Sequence, residues 1–130
     1  MAQLPQEFLT RMQDMLGDEF DAFLTSYDAP RTAGLRVNTK KCRTEDFPPL
    51  VPGTWKKIPW IPNGYFVPDS MRMGPSPLYA AGVFYLQEPS AMTPASRLPI
   101  EPGEHVLDLC AAPGGKATEL NARLAGTGLL

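Results

Sequence analysis

The chain has 130 residues, of which 43% are hydrophobic and 20% are charged, and its formal net charge is −2. This size and composition predict one folded domain or slightly more, and they exclude a largely disordered chain. The sequence has no run of about 18 apolar residues that would predict a transmembrane helix. Its first residues lack the basic start and the apolar stretch of a secretory signal.

Two helices are predicted at the start of the chain. Apolar residues recur at helical spacing in residues 6–16, and they recur again from Phe20 to Tyr27. The second helix is expected to end before Asp28-Ala29-Pro30, because these residues favour a turn. We interpret this helical pair as a packing element and not as a ligand site.

The next segment predicts a strand followed by a short helix. GLRVNT, residues 34–39, has the composition of a strand, and the period of two places Arg36 and Asn38 on one face. Residues 44–50 predict a helix with Thr44 as its cap. Residues 31–57 also hold seven basic residues and two acids. This basic segment is either a phosphate-contacting surface or an ordinary solvated face.

Two further strands are predicted at residues 56–60 and 65–67, joined by a turn around Pro62-Asn63-Gly64. The aromatic side chains at both strands either fill a small core or stack on RNA bases. Together with the preceding strand and helix, this pattern predicts an α+β module. It would end in the Pro-, Gly- and Ser-rich residues 68–77, which gives domains at residues 1–75 and 76–130.

The second predicted domain begins with short apolar segments. Residues 78–86 are apolar and predict a helix, and Gln87-Glu88-Pro89-Ser90 would end it. Residues 92–98 predict another short helix with Pro94 in its first turn.

Residues 104–120, EHVLDLCAAPGGKATEL, carry the most informative pattern. The apolar run from Val106 to Cys110 predicts a strand buried on both faces, as in a parallel sheet. A turn of small residues follows, and helical spacing begins after Lys116, with Gly126 as the expected stop. Such turns bring backbone N–H groups close to a ligand. The P-loop and dinucleotide-binding patterns both fail, because Cys110 occupies a required glycine position.

DLCAAPGGK, residues 108–116, resembles the S-adenosylmethionine (SAM) motif of the Sun-type RNA cytosine-5 methyltransferases. LRVNTKK (35–41) and FYLQEPSAM (84–92) resemble two further segments of that family, in the same order. The resemblance implies that residues 76–130 begin a Rossmann-like, SAM-dependent methyltransferase domain. It also implies that the chain is an N-terminal fragment of a cytoplasmic enzyme that acts on RNA, with ribosomal RNA as the expected substrate.

The resemblance also assigns residues. The cofactor SAM would be bound by Cys110, Ala111, Ala112, Pro113, Gly114, Gly115 and Lys116. The RNA-binding candidates are Arg36, Asn38, Lys40 and Lys41. Asp108 would either organise the turn or meet the amino group of SAM.

No catalytic residue is assigned within the chain. Cytosine-5 methylation needs a cysteine nucleophile, but in the family pattern the catalytic cysteines follow later strands, and Cys110 is a small turn residue beside the cofactor. Cys42 and Cys110 lack metal-site spacing, and reduced thiols are expected for both. The fragment alone is therefore expected to be inactive.

Two alternatives stay open. The chain could be a non-catalytic RNA-binding module that keeps a remnant SAM turn. The strand at residues 104–110 could be loosely ordered, could pair with the N-terminal module, or could pair with a second copy of the chain, because a lone strand leaves backbone groups without partners.

Overall fold

The computed structural model describes residues 4–130. The chain divides into two compact units, with the division between Arg31 and Thr32. In the described part of the chain, no helix has the length and the apolar character needed to cross a membrane.

The first unit is a pair of helices, as the sequence predicts. Helix α1 spans Gln6–Leu16, a 3₁₀ turn spans Gly17–Glu19, and α2 spans Phe20–Ser26. Aromatic rings join the two helices, because the ring centroids of Phe8 and Phe23 lie 6.1 Å apart. Both predicted helices are confirmed.

The second unit contains a four-stranded antiparallel sheet in the order β2-β3-β1-β4. It belongs to the α+β class, as predicted. Its helices are short, and a 3₁₀ turn at Thr44–Asp46 precedes α3. The strands are β1 (Gly34–Val37), β2 (Lys56–Lys57), β3 (Gly64–Phe66) and β4 (Phe84–Leu86). The helices are α3 (Phe47–Leu50), α4 (Pro77–Ala80), α5 (Pro89–Arg97) and α6 (Ala117–Arg123).

One face of the sheet packs on an aromatic core. Leu35 lies opposite Tyr65 on β3, and Val37 lies opposite Phe84 on β4, so their side chains share this face. Phe47 is fully buried and contacts the rings of Tyr65 and Phe84, with centroids 5.9 and 5.6 Å away. Of the aromatic residues predicted either to fill a core or to stack on RNA bases, Trp55 and Tyr65 contact Phe47 and fill a core.

Arg36 projects from the other face of the sheet, opposite Gly64 and Tyr85. Helix α5 packs on β1 and on α6. A separate apolar cluster forms around α5 and α6, consisting of Ala95, Ile100, Leu120 and Leu124, with Val106 packed against it. The polar face of β1 is thereby covered by a second layer.

Three local predictions are wrong. Residues 78–86 do not form one helix, because the chain turns after α4 and residues 84–86 become β4, which pairs with β1. Thr44 is not the cap, because it is already the first residue of the 3₁₀ turn and Arg43 occupies the N-cap position. Pro94 lies inside α5 rather than in its first turn, because the helix already begins at Pro89. Strands β1 and β4 share one sheet across residues 68–77, and the domain boundary expected there stays a prediction.

The predicted strand from Val106 to Cys110 is also not formed as a sheet element. Its ladder is reduced to a single parallel bridge between His105 and Leu129, held by two backbone hydrogen bonds of 2.8 and 3.0 Å. Leu107 and Leu109 are 80% and 85% exposed. A parallel strand is buried on both faces only when neighbouring strands and helices cover both faces. Among the described residues, covering elements lie on one side of this segment only.

Candidate functional site

The centre of the site is the buried guanidinium of Arg36, which is 2% exposed. Its Nε lies 2.9 Å from Oε2 of Glu119, which is also buried. Its Nη1 donates to Oε1 of Gln87 at 2.8 Å. Burial lowers the pKa of Arg36 below its usual value, and the Glu119 carboxylate opposes this shift. An arginine side chain stays charged across the pH range of proteins, so an ion pair is buried here.

The same guanidinium contacts the segment predicted to bind SAM. Nη1 of Arg36 also donates to the carbonyl oxygen of Gly115 at 2.7 Å, and Nη2 donates to Oγ1 of Thr118 at 2.7 Å. The Thr118 hydroxyl in turn donates to the carbonyl oxygen of Gly114 at 2.7 Å. Arg36 therefore connects strand β1 to the two glycines of the turn.

Asn63 completes the buried polar cluster. Its Nδ2 donates to the carbonyl oxygen of Val37 at 2.9 Å and to Oε2 of Glu119 at 3.1 Å. Asn63 is 5% exposed. The Glu119 carboxylate is thus held by both Arg36 and Asn63, which meets the requirement that a buried charge be paired and hydrogen-bonded.

Arg36 is buried, and four of its five N–H donors have partners within the chain. This geometry favours a role inside the protein over the expected RNA contact, which stays a prediction. Sequence reasoning also missed its side-chain partners Gln87, Thr118 and Glu119, and it missed Asn63, which bonds Glu119. The sequence carries only a weak signal for them, because all four lie outside the strand and three of them come more than 50 residues after Arg36.

The QEPSAM stretch acquires a structural role. Gln87 accepts from Arg36 and donates from Nε2 to the carbonyl oxygen of Ala91 at 3.0 Å. Oε2 of Glu88 accepts from the backbone N–H groups of Ser90 and Ala91 at 2.9 and 3.1 Å. Pro89 occupies the first helical position, which proline favours. The stretch therefore starts α5 and fixes one partner of Arg36.

The turn at residues 110–116, which we call the cofactor turn, is exposed at Cys110–Pro113 and buried at Gly115. A Cβ atom on Gly115 would lie 2.7 Å from Nε2 of Gln87, so glycine allows this close approach. The hydroxyl of Tyr85 donates to the carbonyl oxygen of Pro113 at 3.3 Å. Lys116 is exposed.

The residues of the turn fit a ligand with a cationic group. Oδ1 of Asp108 accepts from the N–H of Cys110 at 3.0 Å. Its Oδ2 is buried and has no hydrogen-bond partner among residues 4–130. A buried carboxylate oxygen without a partner is costly, and an ammonium donor would satisfy it. The amino group of SAM is such a donor.

Two cavities flank α6. An apolar cavity of about 300 Å³ lies between α5 and the cofactor turn, and Asp108 and Lys116 are among its lining residues. A more polar cavity of about 240 Å³ lies between the sheet and α6. It is lined by Arg36, Asn38, Lys41, Gly82, Phe84, Tyr85, Thr118 and Glu119. The structure thus brings Asn38 and Lys41 to a cavity that also borders the helix after the cofactor turn.

The remaining RNA candidates differ in their surroundings. Asn38 is half-buried and donates from Nδ2 to the carbonyl oxygen of Gly82 at 2.9 Å. Lys41 is exposed, and its Nζ donates to the carbonyl oxygen of Ala81 at 2.6 Å. Lys40 is exposed. Lys41 therefore places an ammonium group at the polar cavity, and Lys40 adds a second exposed ammonium group one residue earlier.

Neither cysteine is placed as an activated nucleophile. Cys42 is half-buried and donates to the carbonyl oxygen of Arg43 at 3.2 Å. Burial raises the pKa of the Cys42 thiol, and the carboxylates of Asp46 and Glu45 raise it further. A raised pKa disfavours the reactive thiolate. Cys110 is an exposed free thiol. Within residues 4–130, no group of His, Cys, Asp and Glu side chains is arranged to hold a metal ion.

Comparison with known proteins defines the class to which this fold and turn belong. A solved methyltransferase homologue from Pyrococcus horikoshii superposes with a TM-score of 0.78 at 27% identity, over 97% of this chain and 43% of that one. The profile of the N-terminal domain of 16S rRNA methyltransferase RsmF matches residues 4–89. The chain therefore belongs to the RsmF family and matches its N-terminal region, and the resemblance inferred from the sequence is confirmed.

Two curated relatives extend this match to the cofactor turn. Both are named ribosomal RNA small subunit methyltransferase F, one from Enterobacter sp. (strain 638) and one from Erwinia tasmaniensis, at 36% and 38% identity. In each case the match covers 97% of this chain, but only 28% and 29% of the relative. The chain thus spans less than a third of the length of these relatives.

The cap of α5 generates a pH-dependent prediction. Hydrogen bonds from the hydroxyl and backbone N–H of Ser90 lower the pKa of Glu88. Glu88 therefore stabilises the fold above the ordinary glutamate pKa of about 4.3, and this contribution is lost as the pH falls through the lower pKa of the folded state. We expect Glu88→Gln to unfold more easily than the parent chain at pH 7, by about 0.5–1 kcal/mol, and this difference to shrink as the pH falls below the ordinary glutamate pKa.

Urea titration followed by the fluorescence of Trp55 and Trp60 measures this difference, because both indoles lie in the second unit. Glu101→Gln, at an exposed glutamate for which no side-chain partner is found in the described residues, is the matched control. A difference for Glu88→Gln that is the same at pH 7 and pH 3 would contradict the charged cap.

Proposed function

We propose that the chain is the N-terminal part of a SAM-dependent ribosomal RNA cytosine-5 methyltransferase. The observation that carries the proposal is the DLCAAPGGK segment, in which a buried carboxylate oxygen of Asp108 has no hydrogen-bond partner among residues 4–130. The match to RsmF supports the reaction class and the RNA substrate. In this proposal, residues 76–130 begin a Rossmann-like domain whose further strands belong to the longer protein.

In this proposal the cofactor turn binds the methionine part of SAM. SAM supplies an electrophilic methyl group on a sulfonium centre. Asp108 accepts a hydrogen bond from the amino group through Oδ2, and exposed Lys116 pairs with the carboxylate. The glycines permit close approach of the backbone, and residues 110–113 line the same turn.

The RNA surface of the proposal consists of Asn38, Lys40 and Lys41. The two ammonium groups neutralise phosphates, and Asn38 supplies polar contacts at the edge of the 240 Å³ cavity. Tyr85 lines that cavity and donates to the backbone of the cofactor turn at Pro113. RNA held at this surface would therefore lie next to the bound cofactor.

A second candidate function is a non-catalytic RNA-binding module. The observation that favours it is the exposure of Leu107 and Leu109, because the segment before the turn lacks the cover of a complete sheet. Both candidates share one consequence: neither Cys42 nor Cys110 acts as nucleophile, and the chain alone does not transfer a methyl group. The response of the turn to SAM separates them.

Titration of the chain with SAM tests the proposed cofactor turn. In a nitrogen–proton NMR correlation spectrum, we expect the signals of Ala111–Lys116 to shift while those of β1 and β3 stay in place. Asp108→Asn keeps the acceptor for the Cys110 N–H but loses the charge. It should weaken SAM binding about tenfold or more, because a hydrogen bond to a charged group contributes roughly 1.5–3 kcal/mol.

Asp69→Asn, at an exposed aspartate outside the turn, is the control and should leave SAM affinity unchanged. Signals of the turn that do not respond to saturating SAM would reject the first candidate in favour of the second. Equal affinities of Asp108→Asn and the parent chain would remove Asp108 from the site.

RNA binding is tested by titration with a single-stranded fragment of small-subunit ribosomal RNA at several salt concentrations. Lys40→Ala should weaken binding and should reduce the slope of log affinity against log salt by about 0.7, because one phosphate contact is lost. Arg72→Ala, at an exposed arginine outside the basic segment, is the matched control. A slope that both variants change equally would mean a diffuse charge effect rather than a surface at Lys40.

A further inference from the structure

We infer that Arg36 is the positioning residue of the cofactor turn. The inference rests on the proposed function for the use of that turn, but its structural part stands on the contacts of Arg36 alone. It replaces the expected role of Arg36 as an RNA contact with a role inside the protein.

The first argument is the reach of the guanidinium. Arg36 bonds the carbonyl oxygen of Gly115, which lies 79 residues further along the chain, at 2.7 Å. Through Thr118 it also reaches the carbonyl oxygen of Gly114. Arg36 thus contacts the carbonyl of Gly115 directly and contacts the Thr118 hydroxyl that holds the carbonyl of Gly114, so strand β1 is connected to both turn residues.

The second argument is the lack of other constraints on the turn. Leu107 and Leu109, just before it, are exposed rather than packed. Cys110, Ala111, Ala112 and Pro113 are exposed. Apart from the Tyr85 hydroxyl at 3.3 Å, Arg36 and its partner Thr118 provide the polar side-chain contacts to the backbone of residues 113–115 that the described residues contain.

The third argument is chemical specificity. The three nitrogens of Arg36 serve four partners in different directions: Nε contacts Glu119, Nη1 donates to Gln87 and Gly115, and Nη2 donates to Thr118. A lysine ammonium is a point charge on a flexible stem and cannot reproduce this planar fork.

Amide hydrogen exchange in Arg36→Lys tests the inference. The N–H of Thr118 is bonded to Gly114 at 3.0 Å, and it reports the order of the turn, whereas the N–H of Val67, bonded to Ala33 at 3.0 Å, reports the sheet. We expect exchange of the Thr118 amide to accelerate at least about tenfold in Arg36→Lys. Exchange of the Val67 amide should change less than threefold.

Arg123→Lys is the matched control. Arg123 lies on the same helix, α6, and its guanidinium donates to the carbonyl oxygens of Ala95, Ser96 and Ile100. It has no bond to the cofactor turn. We expect Arg123→Lys to leave the exchange of the Thr118 amide within threefold of the parent chain.

Thr118→Val gives a second test that does not change the buried charge. Thr118 is exposed, so the substitution is compatible with folding, and it removes the hydroxyl between Arg36 and Gly114. We expect it to accelerate exchange of its own amide, while Thr118→Ser restores the parent rate. This variant decides the matter if Arg36→Lys does not fold.

The outcomes are distinguishable from those of the proposed function. Accelerated exchange confined to the turn supports the inference whether or not SAM shifts the signals of the turn. An unchanged Thr118 amide, or equal acceleration at Thr118 and Val67, overturns it, because Arg36 would then only stabilise the fold. If SAM binds, Arg36→Lys should also weaken its affinity about tenfold.

Discussion

The second unit of the chain depends on a positive charge buried between a sheet and a helix. The guanidinium of Arg36 leaves water only because Glu119 neutralises it, and Gln87, Gly115 and Thr118 accept from it. Burying an ion pair contributes little net stability, but removing one partner is strongly destabilising. The ion pair therefore constrains how α6 packs on the sheet, since any other placement of the helix would separate Arg36 from Glu119 and leave a buried charge unpaired.

This constraint links the segments that resemble the methyltransferase family. LRVNTKK contributes Arg36 from β1, FYLQEPSAM contributes Gln87 and the capped start of α5, and the cofactor turn contributes the carbonyl oxygens. The three segments meet at one point in space. The sheet accordingly contacts the turn that is proposed to bind SAM, and the proposed RNA contacts Lys40 and Lys41 follow its strand β1.

Local patterns predicted much of the fold. The periodicity of residues 6–16 and 20–27 correctly placed two helices, and the segments at residues 34–39 and 65–67 placed β1 and β3 to within two residues. Two apolar segments were assigned wrongly for a shared reason. An apolar run forms a strand only where it can pair with another strand. Residues 84–86 pair with β1, whereas residues 106–110 have beside them only the single bridge at His105.

The candidate site was predicted in part. The glycines and small residues of the cofactor turn were recognisable because their pattern is contiguous. The role of Arg36 was not recognisable from the sequence, because an arginine in a strand ordinarily faces solvent. Its burial arises from α5 and α6, which close over β1 through contacts 51 to 82 residues away. Burial by residues so distant in the sequence produces no periodic pattern around Arg36 from which it could be predicted.

The most direct test is a double-mutant cycle between Arg36 and Glu119, read by urea unfolding and the fluorescence of Trp55 and Trp60. Arg36→Met and Glu119→Gln should each destabilise the chain by about 3–5 kcal/mol, because each leaves its partner buried without its counter-ion. The double variant should lose less than the sum by at least about 1 kcal/mol. Losses that add to within about 0.5 kcal/mol would show that the pair is not the constraint on which the site depends.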